Sequence, residues 1–378
     1  MDYQIQFDIN WVQDRYLHKL DGKKLIDNKT FDLEKSNYFS NNYTKLNEVE
    51  CEKHLVSEFI RTSRDHRIIS QDENFILKIP NGGFLDDSSL IFDNVSYQVF
   101  KHQYLDSIYA CSEWALQQKT LTVNNKYHIR GDVLLLNVAW GNVYSHFLYS
   151  VLGKLRNYLK FRPTLSEIDY IVVPEIQPFM QECFDLLNIP SQKLIGLPSS
   201  GTHHHPGNLI TADNLIIPSA ALPGNLNSAD FIRKMALAGP IKSNNNSKKL
   251  YVSRINSASR EGRHILNEEL IYNTILKPNG FSYVIEENLL LTEKAELFNS
   301  AEIVITPAGS GSLSHASFLS AGATLIEIMH PHFVDFIAAD VVQHMSGNYY
   351  YHVAETDGSP NIIINPEKML KILSKFSI

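Results

Sequence analysis

The chain has 378 residues, a length that predicts two domains, because one hydrophobic core seldom serves so long a chain. Hydrophobic residues make up 44% and charged residues 20%, which is ordinary for a globular protein and argues against general disorder. The formal net charge of −7, from 34 basic and 41 acidic residues, argues against a nucleic-acid-binding protein, whose phosphate contacts need a basic surface.

The cysteines and the hydropathy pattern give expectations about the cellular compartment. Cys51, Cys111 and Cys183 are few and far apart, so they form neither a disulfide framework nor a Cys-x-x-Cys metal motif. The first residues lack the basic and apolar regions of a signal peptide, and no apolar stretch approaches the roughly 18–20 residues that cross a bilayer. We therefore expect a cytoplasmic protein whose membrane contact is at most peripheral, at the inner face of the membrane.

Alternation of strands and helices begins in the first half of the chain. Residues 1–70 are polar and weakly periodic, and we expect them to form a peripheral segment. Short apolar runs separated by turn residues predict a few strands over 75–100. Further along, the pattern predicts strands at 133–139, 168–173, 193–197 and 214–218, with helices at 143–161 and 178–187. This order of elements predicts a parallel α/β sheet.

A loop-like region rich in Asn, Ser, Gly and Pro, at 223–225 and 239–247, then places a domain boundary near residue 235. The pattern restarts with strands at 250–253, 283–285, 303–306 and 324–328 and helices at 267–276, 292–300 and 312–320. We expect an N-terminal domain at 1–235 and a C-terminal domain at 236–378. Both are predicted to be Rossmann-like and to face a central cleft, with the ligand outside the carboxyl ends of the strands.

The segment 302–319 carries the clearest chemical signal. Its predicted strand ends at Thr306, Pro307 stops the strand, and Gly309 and Gly311 permit a tight turn with close backbone approach. The helix predicted to begin at Ser312 would direct its positive N-terminus at a ligand, and a phosphate suits that position. In the alternative interpretation Gly and Ser serve packing and capping alone, since the segment is neither a P-loop nor a complete dinucleotide fingerprint.

Charged residues near neighbouring strand ends extend this signal. Arg254 follows a predicted strand, and Arg260 and Arg263 lie in the adjoining loop. Guanidinium groups bind phosphate oxygens in a bidentate fork. Glu327 lies in an otherwise apolar strand, where we expect it to accept hydrogen bonds from ribose hydroxyls; the alternative is a structural ion pair.

At this point the sequence resembles glycosyltransferase family 61. The resemblance extends over roughly 250–330, and a second match over 140–148 (Trp-Gly-Asn-Val-Tyr-Ser-His-Phe-Leu) resembles the family's N-terminal aromatic–His motif. The C-terminal signature is carried by 251–254, 263–268, Phe281, Leu289, Leu297, Phe298, Ala301, Pro307, Gly309, Leu313, His315, Phe318, Gly322 and Glu327. The family commonly has Pro-His-Gly-Ala-Gly-Leu at the phosphate turn, whereas here Ala308 replaces the His and one extra residue lies between Gly309 and Leu313.

The resemblance implies a GT-B architecture, an inverting mechanism, a nucleoside-diphosphate sugar donor and no obligatory divalent metal ion. A UDP-linked donor is expected, with no cofactor besides the donor itself. The histidines at 203–205 are interpreted as a polar loop, since adjacent histidines seldom converge on one ion. The residues assigned to donor binding are Arg254, Arg263, Pro307, Gly309, Ser310, Gly311, Ser312, Leu313, His315 and Glu327.

Inverting transfer needs a base that takes the proton of the acceptor hydroxyl, and His146 is the leading candidate. It lies in the first turn of a predicted helix after a strand, and an imidazole accepts a proton near neutral pH. The alternatives are a structural role for His146, or Glu286, Glu287 or Asp132 as the base. Trp140, Asn142 and Tyr144 are assigned to the acceptor side.

Three functional hypotheses follow. The first is a transferase of bacterial surface polysaccharide synthesis, with an oligosaccharide or polysaccharide acceptor. Under this hypothesis the acceptor can be lipid-linked, and the enzyme can form a homodimer. The second, prompted by Ala308, is a nucleotide-sugar-binding or scaffold protein without catalysis. The third is another nucleotide-using α/β enzyme, such as a sugar-phosphate transferase.

Overall fold

The structure, a computed structural model, describes most of the chain from residue 76 onward. The described ranges are 3–5, 47–48, 76–85, 90–94, 99–100, 121–123, 125–138, 140–197, 208–221, 223–238, 247–255 and 264–376. The chain divides into two compact units. Unit 1 comprises Met1–Asp32 and Gln71–Phe231, and unit 2 comprises Leu33–Ser70 and Ile232–Ile378. The division at residue 235 expected from sequence stays a prediction.

The described strands and α-helices are numbered in chain order. The strands are β1 (Tyr3–Ile5), β2 (Asn47–Glu48), β3 (Ile76–Pro80), β4 (Gly82–Leu85), β5 (Leu90–Asp93), β6 (Val99–Phe100), β7 (Leu121–Val123), β8 (Asn125–Leu135), β9 (Tyr170–Pro174), β10 (Leu194–Leu197), β11 (Asn208–Pro218), β12 (Lys249–Ser253), β13 (Ser282–Ile285), β14 (Ile303–Pro307), β15 (Thr324–Met329) and β16 (Asn348–Val353). The helices are α1 (Tyr144–His146), α2 (Leu152–Phe161), α3 (Pro178–Leu186), α4 (Leu226–Leu237), α5 (Glu268–Ile271), α6 (Leu291–Ser300), α7 (Ser310–Phe318), α8 (Ile337–His344) and α9 (Pro366–Ser374).

Unit 1 is built on a mixed sheet with the strand order β10-β9-β8-β11-β4-β5-β6, and β3 also pairs with β11. Strands β10, β9, β8 and β11 run parallel to one another. Strands β3 and β4 pair antiparallel with β11, and β5 and β6 continue antiparallel beyond β4. The parallel α/β sheet predicted from the alternating pattern is therefore present, but antiparallel strands from the predicted 75–100 region extend it.

The helix predicted over 143–161 consists of three segments. α1 and α2 are joined by a π-helical segment, Phe147–Val151. Its apolar residues, including Phe147, Leu148 and Val151, are fully buried. The apolar face read from the sequence therefore packs in the core of unit 1, as amphipathic periodicity predicts.

Unit 2 contains a six-stranded sheet with the order β13-β12-β14-β15-β16-β2. All of its described neighbours are parallel. From β12 the chain moves outward to β13 and then returns to the other side of β12 to form β14, β15 and β16. This is the order of a doubly wound α/β fold, and the reversal between β12 and β14 is its topological switch point.

The strands predicted in the second half of the chain are all present, with boundaries shifted by at most one residue. α7 begins at Ser310 rather than at Ser312, so Gly309 is its N-cap residue. Helix α4 occupies residues between the two segments interpreted as loops, and the pattern did not indicate α4, α8 or α9. In the described part of the chain, no helix is long and apolar enough to cross a membrane.

Candidate functional site

The candidate site of unit 2 lies at the switch point between β12 and β14. Arg254 is the first residue after β12, and Ala308 and Gly309 directly follow β14. Because all strands of this sheet are parallel, their carboxyl ends lie along one edge. In doubly wound sheets, ligands bind at this edge where the strand order reverses.

The turn after β14 is fixed by backbone and serine hydrogen bonds. The Ala308 N–H donates to the Ile328 carbonyl at 2.9 Å, which holds the turn to β15. The Ser312 hydroxyl accepts from the Gly309 N–H at 3.0 Å and donates to the Gly309 carbonyl at 2.7 Å. In general the first N–H groups of a helix have no acceptor within that helix, so a helix N-terminus such as that of α7 is suited to binding an anion.

Arg254 lies directly against this turn. Its Nη1 donates to the Ala308 carbonyl at 2.9 Å. A Cβ atom on Gly309 would come within 2.6 Å of the same nitrogen, and residues with side chains seldom adopt the φ of +156° found here, so glycine suits this position. The arginine and the turn, predicted separately from sequence, are thus neighbours in the structure.

Glu286 adds a buried carboxylate to the same edge, directly after β13. Its Oε2 lies 2.8 Å from His315 Nε2 and 3.8 Å from Lys294 Nζ. Burial raises the pKa of Glu286, but the neighbouring His315, Lys294 and Arg254 outweigh this effect and lower the pKa to about 2. Glu286 therefore stays ionised at neutral pH, and a carboxylate with so low a pKa is a poor catalytic base.

His315 lies inside the fold rather than at its surface. The side chain is fully buried in α7 and stacks on Phe298 with ring centroids 4.0 Å apart. His315 is linked to the candidate site by its hydrogen bond to Glu286. An effect of His315 on a ligand would therefore pass through Glu286.

A second buried carboxylate, Glu268, supports the end of β12. It accepts hydrogen bonds from the hydroxyls of Tyr251 at 2.8 Å, Ser253 at 2.9 Å and Tyr283 at 2.9 Å. Burial next to Glu268 raises the pKa of Tyr283 to about 12, so this phenol remains a donor. The cluster joins α5, β12 and β13 immediately before Arg254, and this stiffens the strand end that carries the guanidinium.

Glu327 is also buried, and it differs from the other two carboxyl groups. It accepts a hydrogen bond from the Tyr349 hydroxyl at 2.5 Å. Burial raises its pKa to about 7, although hydrogen bonds from Ser312 and Tyr349 oppose the change. No described residue forms an ion pair with Glu327, and its role as a ribose acceptor stays a prediction.

The remaining residues assigned to donor binding differ in exposure. Pro307 and Leu313 are buried, whereas Gly309, Ser310 and Gly311 are partly exposed at the turn. Arg263 and Arg260 lie outside the described residues, as do the histidines at 203–205. In the part of the chain that the structure describes, no group of three or more His, Cys, Asp or Glu residues is arranged to hold a metal ion.

The acceptor-side residues follow β8 in unit 1, where the strand order of the parallel block reverses between β8 and β11. Trp140 is 41% exposed and has a φ of +62°, an unfavourable conformation for a bulky residue. Gly141 permits this tight turn, because a Cβ atom there would lie 2.5 Å from Pro174. The Val143 N–H closes the turn by donating to the Trp140 carbonyl at 2.8 Å.

The helix after this turn brings the other predicted residues to the same strand end. Tyr144 packs edge-to-face on Phe179, with ring centroids 5.1 Å apart. Asn142 and His146 are half-buried, and His146 directly precedes the π-helical segment. Such π-helical turns are frequent at functional sites. Trp140, Asn142, Tyr144 and His146 therefore cluster at the carboxyl end of β8.

The alternative bases differ from His146 in their surroundings. Asp132 pairs with Lys78 at 2.9 Å and accepts from Asn214 at 2.7 Å, which is a structural arrangement within the sheet. Glu287 is exposed. Sequence reasoning assigned no site role to Glu268 or Lys294. The local sequence around Glu268 does not indicate its contacts with Tyr251 and Ser253, and the sequence around Lys294 does not indicate its contact with Glu286.

Comparison with known proteins agrees with the resemblance seen in the sequence. Residues 144–326 match the sequence profile of the family described as Glycosyltransferase 61. The match includes Tyr144, His146, Arg254 and the whole turn after β14, and it ends one residue before Glu327. A search among curated proteins finds no significant match.

The pKa of Glu327 predicts a pH dependence of stability. Since its pKa rises from an ordinary value of 4.5 to about 7 in the folded protein, the protonated form stabilises the fold. That contribution is complete below pH 4.5 and is lost as the pH rises through 7. A pKa difference of one corresponds to about 1.4 kcal/mol. The difference in the free energy of unfolding between wild type and Glu327→Gln should therefore fall by up to about 3 kcal/mol between pH 4.5 and pH 8.

Urea unfolding at pH 4.5, 6 and 8 measures this difference, with the exposed Glu302→Gln as the matched control. The control should show no such trend. A wild-type-minus-Glu327→Gln difference that is constant from pH 4.5 to 8 would contradict the assignment of Glu327 as the titrating group.

Proposed function

We propose that the protein is an inverting glycosyltransferase with a nucleoside-diphosphate sugar donor, because residues 144–326 match the sequence profile of glycosyltransferase family 61. The family implies a nucleotide-sugar donor and a glycan acceptor. The proposal assigns the donor to the β12–β14 switch point of unit 2 and the acceptor to the β8 strand end of unit 1. In a GT-B enzyme the two domains divide these tasks in this way.

The observation that carries the donor assignment is the contact of Arg254 with the turn after β14. A guanidinium, a glycine turn and a helix N-terminus together supply the charge and the N–H donors that a diphosphate requires. We propose that Gly309, Ser310, Gly311 and Ser312 bind the diphosphate through their backbone. Pro307, Leu313 and His315 would hold this turn from inside the fold, and Arg263 would add a second guanidinium.

The proposed reaction is a single displacement at the anomeric carbon of the donor sugar. His146 takes the proton from the acceptor hydroxyl as its oxygen forms the new glycosidic bond. The bond between the anomeric carbon and the diphosphate oxygen breaks, and the negative charge of the departing diphosphate develops beside Arg254 and the N-terminus of α7. These groups stabilise that charge without a metal ion, because they are fixed before the reaction begins.

The acceptor assignment is supported by the exposed ring of Trp140, which offers an apolar face to a sugar ring, and by the amide of Asn142 and ring of Tyr144 beside it. We propose an oligosaccharide or polysaccharide acceptor, a UDP-linked donor and a cytoplasmic role in bacterial surface polysaccharide synthesis. A lipid-linked acceptor would be met at the membrane surface. A homodimer remains compatible with this proposal.

A second candidate function is binding without catalysis. It is prompted by Ala308, which replaces the His of the family's phosphate turn. In this protein Ala308 is 4% exposed, and its backbone carbonyl accepts a hydrogen bond from Arg254. Its methyl side chain cannot make the polar contact that a His could make with a ligand. Turnover of a bound nucleotide sugar separates the two candidates.

Thermal unfolding with a panel of UDP-, GDP-, CMP- and dTDP-linked sugars tests donor binding. We expect a UDP-sugar to raise the melting temperature, because it binds only the folded protein. Arg254→Gln should weaken this ligand about 10- to 100-fold through the loss of a charged hydrogen bond. The exposed Arg130→Gln, in unit 1, is the control and should bind like wild type. If none of the nucleotides stabilises the wild-type protein, the proposed function is wrong.

The role of His146 is tested by separating binding from turnover. We expect His146→Ala to bind the donor identified in the panel as tightly as wild type does. Release of nucleoside diphosphate from that donor should fall by about 100-fold or more, because a general base contributes about 10²–10⁴ to such a rate. Near-normal turnover by this variant would remove His146 from the mechanism.

A further inference from the structure

Glu286 has one carboxylate oxygen that its own partners do not use. The residue is only 9% exposed, and both His315 and Lys294 contact its Oε2. No described residue donates a hydrogen bond to Oε1. This oxygen points to the turn after β14, since a Cβ atom on Gly311 would come within 2.2 Å of it.

The position of this oxygen restricts what can bind to it. It lies beside the second residue of α7, close to the proposed diphosphate position, and Arg254 is near enough to lower the pKa of Glu286. An ionised carboxylate can only accept hydrogen bonds and would repel a phosphate oxygen. Its partner in a bound ligand must therefore be a neutral or positive donor group.

The hydroxyl groups of a nucleotide sugar supply such donors next to the diphosphate. We propose that Oε1 of Glu286 accepts a hydrogen bond from a hydroxyl of the bound nucleotide sugar and so helps to select the donor. The hydroxyl belongs either to the ribose or to the transferred sugar, which flank the diphosphate on opposite sides. This inference rests on the proposed function and adds a specificity residue to its donor site.

The surrounding contacts explain why the carboxylate can remain ready for a ligand. His315 and Lys294 hold one oxygen, and the positive charges of Lys294 and Arg254 help to keep the buried group ionised. Gly311 keeps the space in front of the other oxygen open, because any larger residue would occupy it. His315 and Gly311 thus act as positioning residues through Glu286.

Binding of three probes to Glu286→Gln tests the proposal: UDP, 2′,3′-dideoxy-UDP and the UDP-sugar that stabilises the wild type. If the ribose is the partner, the variant should bind UDP about 10- to 100-fold more weakly but bind the dideoxy analogue like wild type. If the transferred sugar is the partner, only the UDP-sugar should lose this affinity. Isothermal titration calorimetry provides the dissociation constants.

Two further variants separate recognition from folding. The exposed Glu269→Gln is the matched control and should bind all three probes like wild type. Glu286→Asp keeps the charge but withdraws the oxygens by one methylene group, and it should show the same probe selectivity as Glu286→Gln. This selectivity is a readout that a loss of packing alone would not change.

The outcomes distinguish this inference from the function on which it rests. If wild type binds UDP or the UDP-sugar while both Glu286 variants bind all probes equally well, Glu286 recognises no hydroxyl and the inference is wrong. An equal loss of affinity for every probe in both variants would also overturn it. Failure of wild type to bind any of the nucleotides would instead overturn the proposed function itself.

Discussion

The hydrogen bond from Arg254 to the Ala308 carbonyl joins the ends of β12 and β14 where the strand order of unit 2 reverses. The other features of the candidate site depend on this contact. A Cβ atom at Gly309 would crowd the guanidinium, and the contact places a positive charge beside the N-terminus of α7. Because the arginine is held by the backbone of the turn, the charge and the helix end form one preorganised surface, and such a surface suits the role proposed for it, the stabilisation of a departing diphosphate.

Three buried carboxyl groups surround this surface, and their environments give them different properties. Glu268 accepts from three hydroxyl groups and anchors the end of β12. Glu286 has histidine and lysine partners and stays ionised, whereas Glu327 has a tyrosine partner and a pKa raised to about 7 by burial. Burying a carboxyl group is costly unless it is paired or hydrogen-bonded, and each of the three has such partners.

Much of this arrangement is predictable from sequence, but the pairings are not. Apolar periodicity located many of the strands and helices of both units, although not α4, α8 or α9, and the Pro-Ala-Gly-Ser-Gly-Ser run indicated the turn at which α7 begins. Periodicity does not encode strand order, so the switch point and the mixed sheet of unit 1 could not be derived. Likewise, Glu286 and His315 are 29 residues apart, and only the fold shows that His315 contacts this carboxylate. The contact between Ala308 and Arg254 gave no signal either, because Ala308 contributes a backbone carbonyl.

The central claim is that the turn between β14 and α7 binds the diphosphate of a nucleotide sugar. Amide hydrogen exchange with and without UDP tests it directly, because hydrogen bonding to a ligand slows the exchange of the N–H groups involved. The account predicts slower exchange in peptides that cover residues 306–313 when UDP is present. It predicts no change in peptides that cover β3 and β4 of unit 1. Unchanged exchange at 306–313 under conditions where UDP is bound, with protection confined to other segments, would contradict the account.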